Sequence, residues 1–354
     1  VFLIQLLIVS DFSTLKWRLL YQFVPTWPFL IITWISGNIV ATANPIERWS
    51  WDIGMWAFIF PLSALPFISL LTFMRYRAGK TPQWIELKKK KGPQEQKWNS
   101  ILKNLFWQLD TIGIFICTVC LGCIFVPLTL AGGSSSKWED SRVIGTLVLG
   151  GILIPLFLFW ESKYATNPLL PMSELKHRGV WAPLCAAFLN DFIYYLASDY
   201  LYPVLLVSLN ESTASASRIV WLPTFCAVAC SPFFSLLVAK SARLKGYVLG
   251  GCCLWMLAMG LFYRYRGGTE SHSGVIGASI VMGIGSTLFV YPLIVSLQTM
   301  ASHERMAVMT ALYYTVAKIG TAVGASVSGA IWTQTMYKDI FKRMGIPSLA
   351  MYAY

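Results

Sequence analysis

The stretch Leu109–Leu130, LDTIGIFICTVCLGCIFVPLTL, decides the fold class. After Asp110 it runs 20 residues without a charged side chain, the length an α-helix needs to cross the hydrocarbon core of a bilayer. Cys117, Cys120 and Cys123 have a ligand-like spacing within it. No histidine or acid stands beside them, and a metal or cluster site needs thiolates with a polar surround. Small apolar residues on a helix are the simpler reading, so no metal site and no cofactor is expected.

Runs of the same kind fill the chain. Val1–Ser10 reads as the tail of one helix, and Leu19–Ala43 as a span interrupted by Pro25 and Pro28. Further spans follow at Ile53–Met74, Leu109–Leu130, Val143–Trp160, Val180–Val207, Ile219–Ala239, Tyr247–Tyr263, Val275–Leu297 and Met306–Trp332. Nine complete spans and one partial one are predicted. The composition agrees: 56% of residues are hydrophobic and 12% charged, where soluble domains carry about 25% charged residues. The expectation is an all-α, multi-pass integral membrane protein whose first partner is the lipid bilayer.

The net charge of +12 does not point to nucleic acid, because no basic run is interleaved with aromatics on a soluble segment. Lys and Arg instead mark cytoplasmic loops. With the loop after the first partial helix inside, eighteen basic residues fall inside and eight outside. Nine of the eighteen lie in Arg75–Lys103, which includes Lys88–Lys91. Asn210, in the sequon Asn210-Glu211-Ser212, then falls outside, where glycosylation is possible. His177, His272 and His303 read as solvated loop residues without metal spacing.

Ionisable groups inside a bilayer are functional candidates by default. The richest segment is Asn190–Tyr202, NDFIYYLASDYLY. On a continuous helix Asp191 and Asp199 stand about 80° apart and about 12 Å along the axis, lining one polar face at two depths. Both are proton-coupling candidates. Asn190, Tyr194, Tyr195, Tyr202, Lys318 and Arg218 are candidates for a substrate cavity; Lys318 could equally snorkel to an interface, and for Arg218, just inside the outer end of its helix, snorkelling is the simpler reading. Gly320, Gly324 and Ser328, with Gly329 beside them, form a small-residue face for close helix packing. No nucleophile elbow, P-loop or dinucleotide fingerprint is present, so an enzyme is not expected.

Several ordered strings carry a resemblance: SDFSTLKWR, WISGNI, LDTIGI with VPLTLAGG, NPLLP with RGVWAPL, SDYLYPVLLVS with STASASRI, GLFYRYRGG, and VGASVSGAIWTQTM. They resemble the fungal siderophore-iron transporter family, in the 14-helix branch of the major facilitator superfamily, with the yeast glutathione exchangers nearest in appearance. The resemblance implies a major facilitator helical bundle, N- and C-terminally truncated, holding helices four to thirteen. On that numbering residues 1–74 end the N-terminal bundle and 75–106 form a basic cytoplasmic linker. Residues 107–179 hold the extra central helix pair with its following loop, 180–332 the C-terminal bundle, and 333–354 the start of the last extracytoplasmic loop.

The resemblance also implies proton coupling and a location in the plasma membrane or a vacuolar or endosomal membrane. A glutathione:proton antiporter is the reading favoured here, with Lys318 and Arg218 suiting an anionic tripeptide, as they would also suit a ferric chelate with negative charge. The alternative is a siderophore-iron (ferric hydroxamate):proton symporter. A receptor or scaffold that does not transport is a further alternative.

Overall fold

The computed structural model describes residues 2–14, 16–43, 50–51, 54–82, 109–131, 138–165, 175–241, 244–265, 271–300 and 305–344, with 84, 86, 103 and 105–107. Among these every regular element is a helix. In lipid, backbone amides and carbonyls must be satisfied within the segment, and helices do this where the chain is continuously apolar. The chain divides into two units, Val1–Gly37 with Asp110–Tyr354, and Asn38–Leu109.

The smaller unit holds α4 (Trp56–Ala78), which carries Pro61 and Pro66 internally and buries none of its residues. Most of the long basic segment, including Lys88–Lys91, lies outside the described residues.

The larger unit begins with α1 (Phe2–Phe12) and α2 (Arg18–Phe23). A 3-10 turn at Val24–Thr26, entered through Pro25, leads to α3 (Phe29–Ala43), whose residues from Asn38 onward belong to the smaller unit. After α5 (Thr111–Ala131) and α6 (Ser141–Lys163) come α7 (Arg178–Ser198) and the short α8 (Leu201–Ser208). Then follow α9 (Thr213–Ser241), α10 (Leu244–Arg264), α11 (Ser271–Met300) and α12 (Met306–Met344). Nine segments among the described residues are long and apolar enough to span a membrane, and they coincide with the nine spans read from the apolar runs.

Prolines inside these helices remove a backbone donor, and at Pro232 a local side chain compensates. Pro232 leaves the Val228 carbonyl without its usual amide, and Ser231 Oγ donates to that carbonyl at 2.7 Å. Asp110 opens α5 in the left-handed region (φ 43°), accepting at Oδ1 from the Gly113 amide at 3.3 Å and from Trp160 Nε1 of α6 at 2.9 Å.

α11 is the hub, with 61% of its spanning window buried. Phe289, Leu293, Ile294 and Leu297 of α11 meet Val180, Leu184 and Ala187 of α7 and Met309, Leu312 and Tyr313 of α12 in the largest buried cluster. α7 and α12 lie side by side through the small-residue face. A Cβ at Gly320 would collide with the carbonyl oxygen of Phe188, and one at Gly324 would sit 2.6 Å from that of Phe192. Ser328 Oγ continues the row, donating to the Leu196 carbonyl at 3.2 Å. Each pair is offset by the same 132 positions, so the two helices run parallel in fixed register. Gly329 is looser, with Tyr200 Oη 3.4 Å from its Cβ position.

Two boundaries differ from the sequence reading. Val180–Val207 is not one helix: it breaks at Asp199 and Tyr200 before α8 starts. Pro203 supplies the reason, since it has no N–H to reach the Asp199 carbonyl and fits the first turn of a new helix instead. α12 runs on to Met344, past Trp332 where the apolar stretch ends. Polarity alone does not stop a helix, and the first strong breakers are Gly345 and Pro347. The remainder of 333–354 lies outside the described residues.

Asn210 is exposed in the turn between α8 and α9, in the left-handed region (φ 51°). That conformation ends α8 while the Glu211 amide donates to the Leu205 carbonyl at 3.1 Å. His272 lies in the first turn of α11, its Nδ1 on the Glu211 carboxylate, rather than in a solvated loop. For Asn210→Gly we expect unchanged thermal stability, and for Asn210→Val a loss of about 1–2 kcal/mol from left-handed strain. Melting of the purified protein checks both.

Candidate functional site

A cavity of about 360 Å³ opens inside the larger unit, at the small end of the range for small-molecule sites. Its walls come from the α2–α3 junction, α7, α9, α10, α11 and α12. Phe23, Phe29, Tyr194, Tyr195, Trp255 and Tyr291 line it with aromatic rings, and Thr26, Asn190, Asp191, Thr224, Ser286 and Lys318 bring polar atoms.

Asp191 and Lys318 are the sole acid and the sole base among the described residues lining this cavity. Lys318 Nζ stands 3.8 Å from Asp191 Oδ2 and 5.8 Å from the Tyr195 ring centroid. The carboxylate is oriented from both sides. Asn190 Nδ2 donates to Oδ1 at 2.9 Å, and Thr321 Oγ1 donates to Oδ2 at 3.1 Å. The Lys318 side chain is 65% exposed against 21% for Asp191. A loose pair with one exposed partner contributes little to stability, so the two charges are held near each other without being locked. Asn190 is buried and its Oδ1 has no donor among the described residues.

The aromatic wall is itself ordered. Tyr194 stands with its ring 5.3 Å from Tyr195 and 6.4 Å from Trp255. Trp255 Nε1 donates to Ser286 Oγ at 3.1 Å, and Ser286 Oγ donates to the Met282 carbonyl at 2.8 Å. α7, α10 and α11 thus present fixed faces to the cavity.

The cavity gathers Asn190, Asp191, Tyr194, Tyr195 and Lys318 among the candidates. Three others stand elsewhere. Asp199 is exposed at the C-terminal end of α7, its amide still donating to the Tyr195 carbonyl at 3.2 Å, and it does not line the cavity. Tyr202 packs in an apolar cluster with Leu205, Ala216, Ile219 and Val275. Arg218 lies beside α3, its Nε 3.4 Å from where a Gly37 Cβ would be, and does not line the cavity. Thr321, Trp255, Ser286 and Tyr291 were not singled out in the sequence. Thr321 carried a signal, standing one helical turn beyond Lys318 on the same side.

Comparison with known proteins adds what geometry alone does not. No protein-family model matches the chain, and no solved structure matches it. It is 57% identical to the siderophore iron transporter ARN1 of Saccharomyces cerevisiae, over 100% of this chain and 57% of that protein. It is 48% identical to ARN2 of the same yeast, over 98% of this chain and 56% of the relative. The siderophore iron transporter mirC of Emericella nidulans is 31% identical over 96% of this chain and 56% of its own length. The chain thus spans a little over half the length of these curated relatives. Their names specify siderophore iron; the glutathione reading gains no support from them, and the siderophore alternative is the one they favour. Over its whole length, this chain belongs with the siderophore iron transporters of fungi, in the major facilitator superfamily.

Proposed function

We propose that the chain carries the ligand cavity and a proton site of a siderophore-iron transporter working as a proton symporter. The observation that carries the reading is the Asp191–Lys318 pair in an aromatic cavity. The relatives' names supply the substrate class.

The coupling follows from charge. While Asp191 is ionised it holds the Lys318 ammonium at 3.8 Å. A proton arriving at Oδ2 cancels that attraction and turns the carboxylate into a neutral acid that can donate. Lys318 is then released to meet an electronegative or anionic face of the ligand, with the rings of Tyr194, Tyr195 and Trp255 packing on its apolar parts. Ligand and Asp191 therefore compete for one ammonium, and the proton removes the competitor. Proton and ligand bind cooperatively, and by linkage the effect is reciprocal. Positive coupling of this kind is what symport requires. An antiporter needs proton and substrate to exclude one another, so the arrangement favours the siderophore symporter over the glutathione antiporter.

Membrane vesicles containing the full-length protein test the reading. Uptake of a labelled ferric hydroxamate is expected to rise at least tenfold when the outer side is made acidic, with labelled glutathione unmoved. Ferric hydroxamate uptake indifferent to the gradient overturns symport. Glutathione movement without ferric hydroxamate movement overturns the substrate assignment.

A further inference from the structure

Below the cavity, toward the side that loop charge assigns to the cytoplasm, the larger unit is closed by contacts between chain segments far apart in sequence. The uppermost is Phe23 of α2, its ring centroid 4.2 Å from that of Tyr291 on α11. Next, Leu19 and Phe23 pack with Val238 of α9 and Val295 of α11 in one buried cluster. Alongside runs a hydrogen-bond ladder. Gln22 Nε2 donates to Gln298 Oε1 at 2.9 Å, and Gln298 Nε2 donates to Thr310 Oγ1 at 3.1 Å. The lowest contact is Arg18 Nη1 to the Met306 sulfur at 3.6 Å. Gln22 and Thr310 are 0% exposed and Gln298 is 2% exposed.

Two buried amides in a membrane helix bundle need an explanation, because apolar side chains would fill the same space without the desolvation cost. Reversibility provides one. Parted apolar faces wet their whole surface, whereas parted amides exchange each other for water at small net cost. A seal made of amides is therefore dry and closed in one arrangement and separable in another. We infer that Gln22, Gln298 and Thr310 form a cytoplasmic latch, tying α2 to α11 and α12 and closing the cavity on that side. The inference rests on the transporter reading, in which α2 and the α11–α12 pair belong to bundles that rock apart to open the cavity inward.

Labelling by a membrane-impermeant maleimide tests the latch without any substrate, so its failure is distinct from failure of the uptake assay. The full-length protein carries Val295→Cys as reporter, read by mass spectrometry of the peptide bearing residue 295 to separate it from native cysteines. From the cytoplasmic face, Gln22→Ala is expected to speed labelling at least fivefold. Gln22→Leu combined with Gln298→Leu replaces both amides by apolar side chains of similar size, and labelling should be slower than with the native pair. Equal rates in all three backgrounds overturn the latch. So does an equal rise at Leu205→Cys labelled from the opposite face, since that marks general loosening of the bundle.

Discussion

Asp191→Asn is expected to abolish gradient-driven uptake, lowering the initial rate by more than tenfold to the level of empty vesicles, with the protein reaching the membrane in normal amount. The substitution is nearly isosteric, and an asparagine can still meet Asn190 and Thr321, which stand 2.9 and 3.1 Å from the native oxygens. It removes the charge and the titration. Lys318 loses its counter-charge, but it faces the cavity and 65% of its side chain is left uncovered by the rest of the protein. Because the variant mimics the proton-loaded state permanently, ligand binding should persist and lose its dependence on pH. Binding at two pH values, measured beside uptake, therefore separates loss of coupling from loss of the site. Wild-type, gradient-sensitive uptake in Asp191→Asn removes Asp191 from the mechanism. Loss of binding together with uptake makes it a ligand contact instead.

That pairing was only half legible in the sequence. Asp191 and Lys318 each stood out, because a charged residue on an otherwise apolar span is costly unless something compensates it. What the sequence did not reveal was that they compensate each other. Their meeting depends on the register between α7 and α12, which the row of Gly320, Gly324 and Ser328 sets against the carbonyls of Phe188, Phe192 and Leu196. The small-residue row was visible, but nothing local says which helix it lies against. Asp199 stands on the last turn of α7, as the projection has it, but the helix ends there ahead of Pro203 and the residue is exposed and outside the cavity lining. The spans themselves were legible because bilayer thickness and backbone satisfaction leave few choices. Ends set by capping and breakers, such as the run of α12 to Met344, were less so. Substrate class was the least legible feature, since an aromatic cavity with one acid and one base accepts several chemistries, and the relatives' names favoured siderophore iron over glutathione.

Gly320→Ala and Gly324→Ala are expected to destabilise the protein by about 1–3 kcal/mol each, as overpacking of a tight interface does. The added methyl at position 320 meets the Phe188 carbonyl oxygen, and at position 324 the Phe192 oxygen at 2.6 Å. Backbone cannot swing aside as a flexible side chain can, so α7 and α12 must move apart. That movement also draws Thr321 and Lys318 away from Asp191, since all three are placed by the same register. Uptake should therefore fall in these variants even in the fraction that remains folded, and Val at either position should abolish both folding and transport. A comparison within the same protein sharpens the test. Gly260 of α10 has nothing within 4 Å of its Cβ position, and there alanine should be neutral or stabilising by up to about 1 kcal/mol through helix propensity. Melting in detergent of Gly320→Ala, Gly324→Ala and Gly260→Ala reads the contrast directly. If all three melt together with the native protein, the contact between α7 and α12 is not the close one described, and the placement of Lys318 beside Asp191 falls with it.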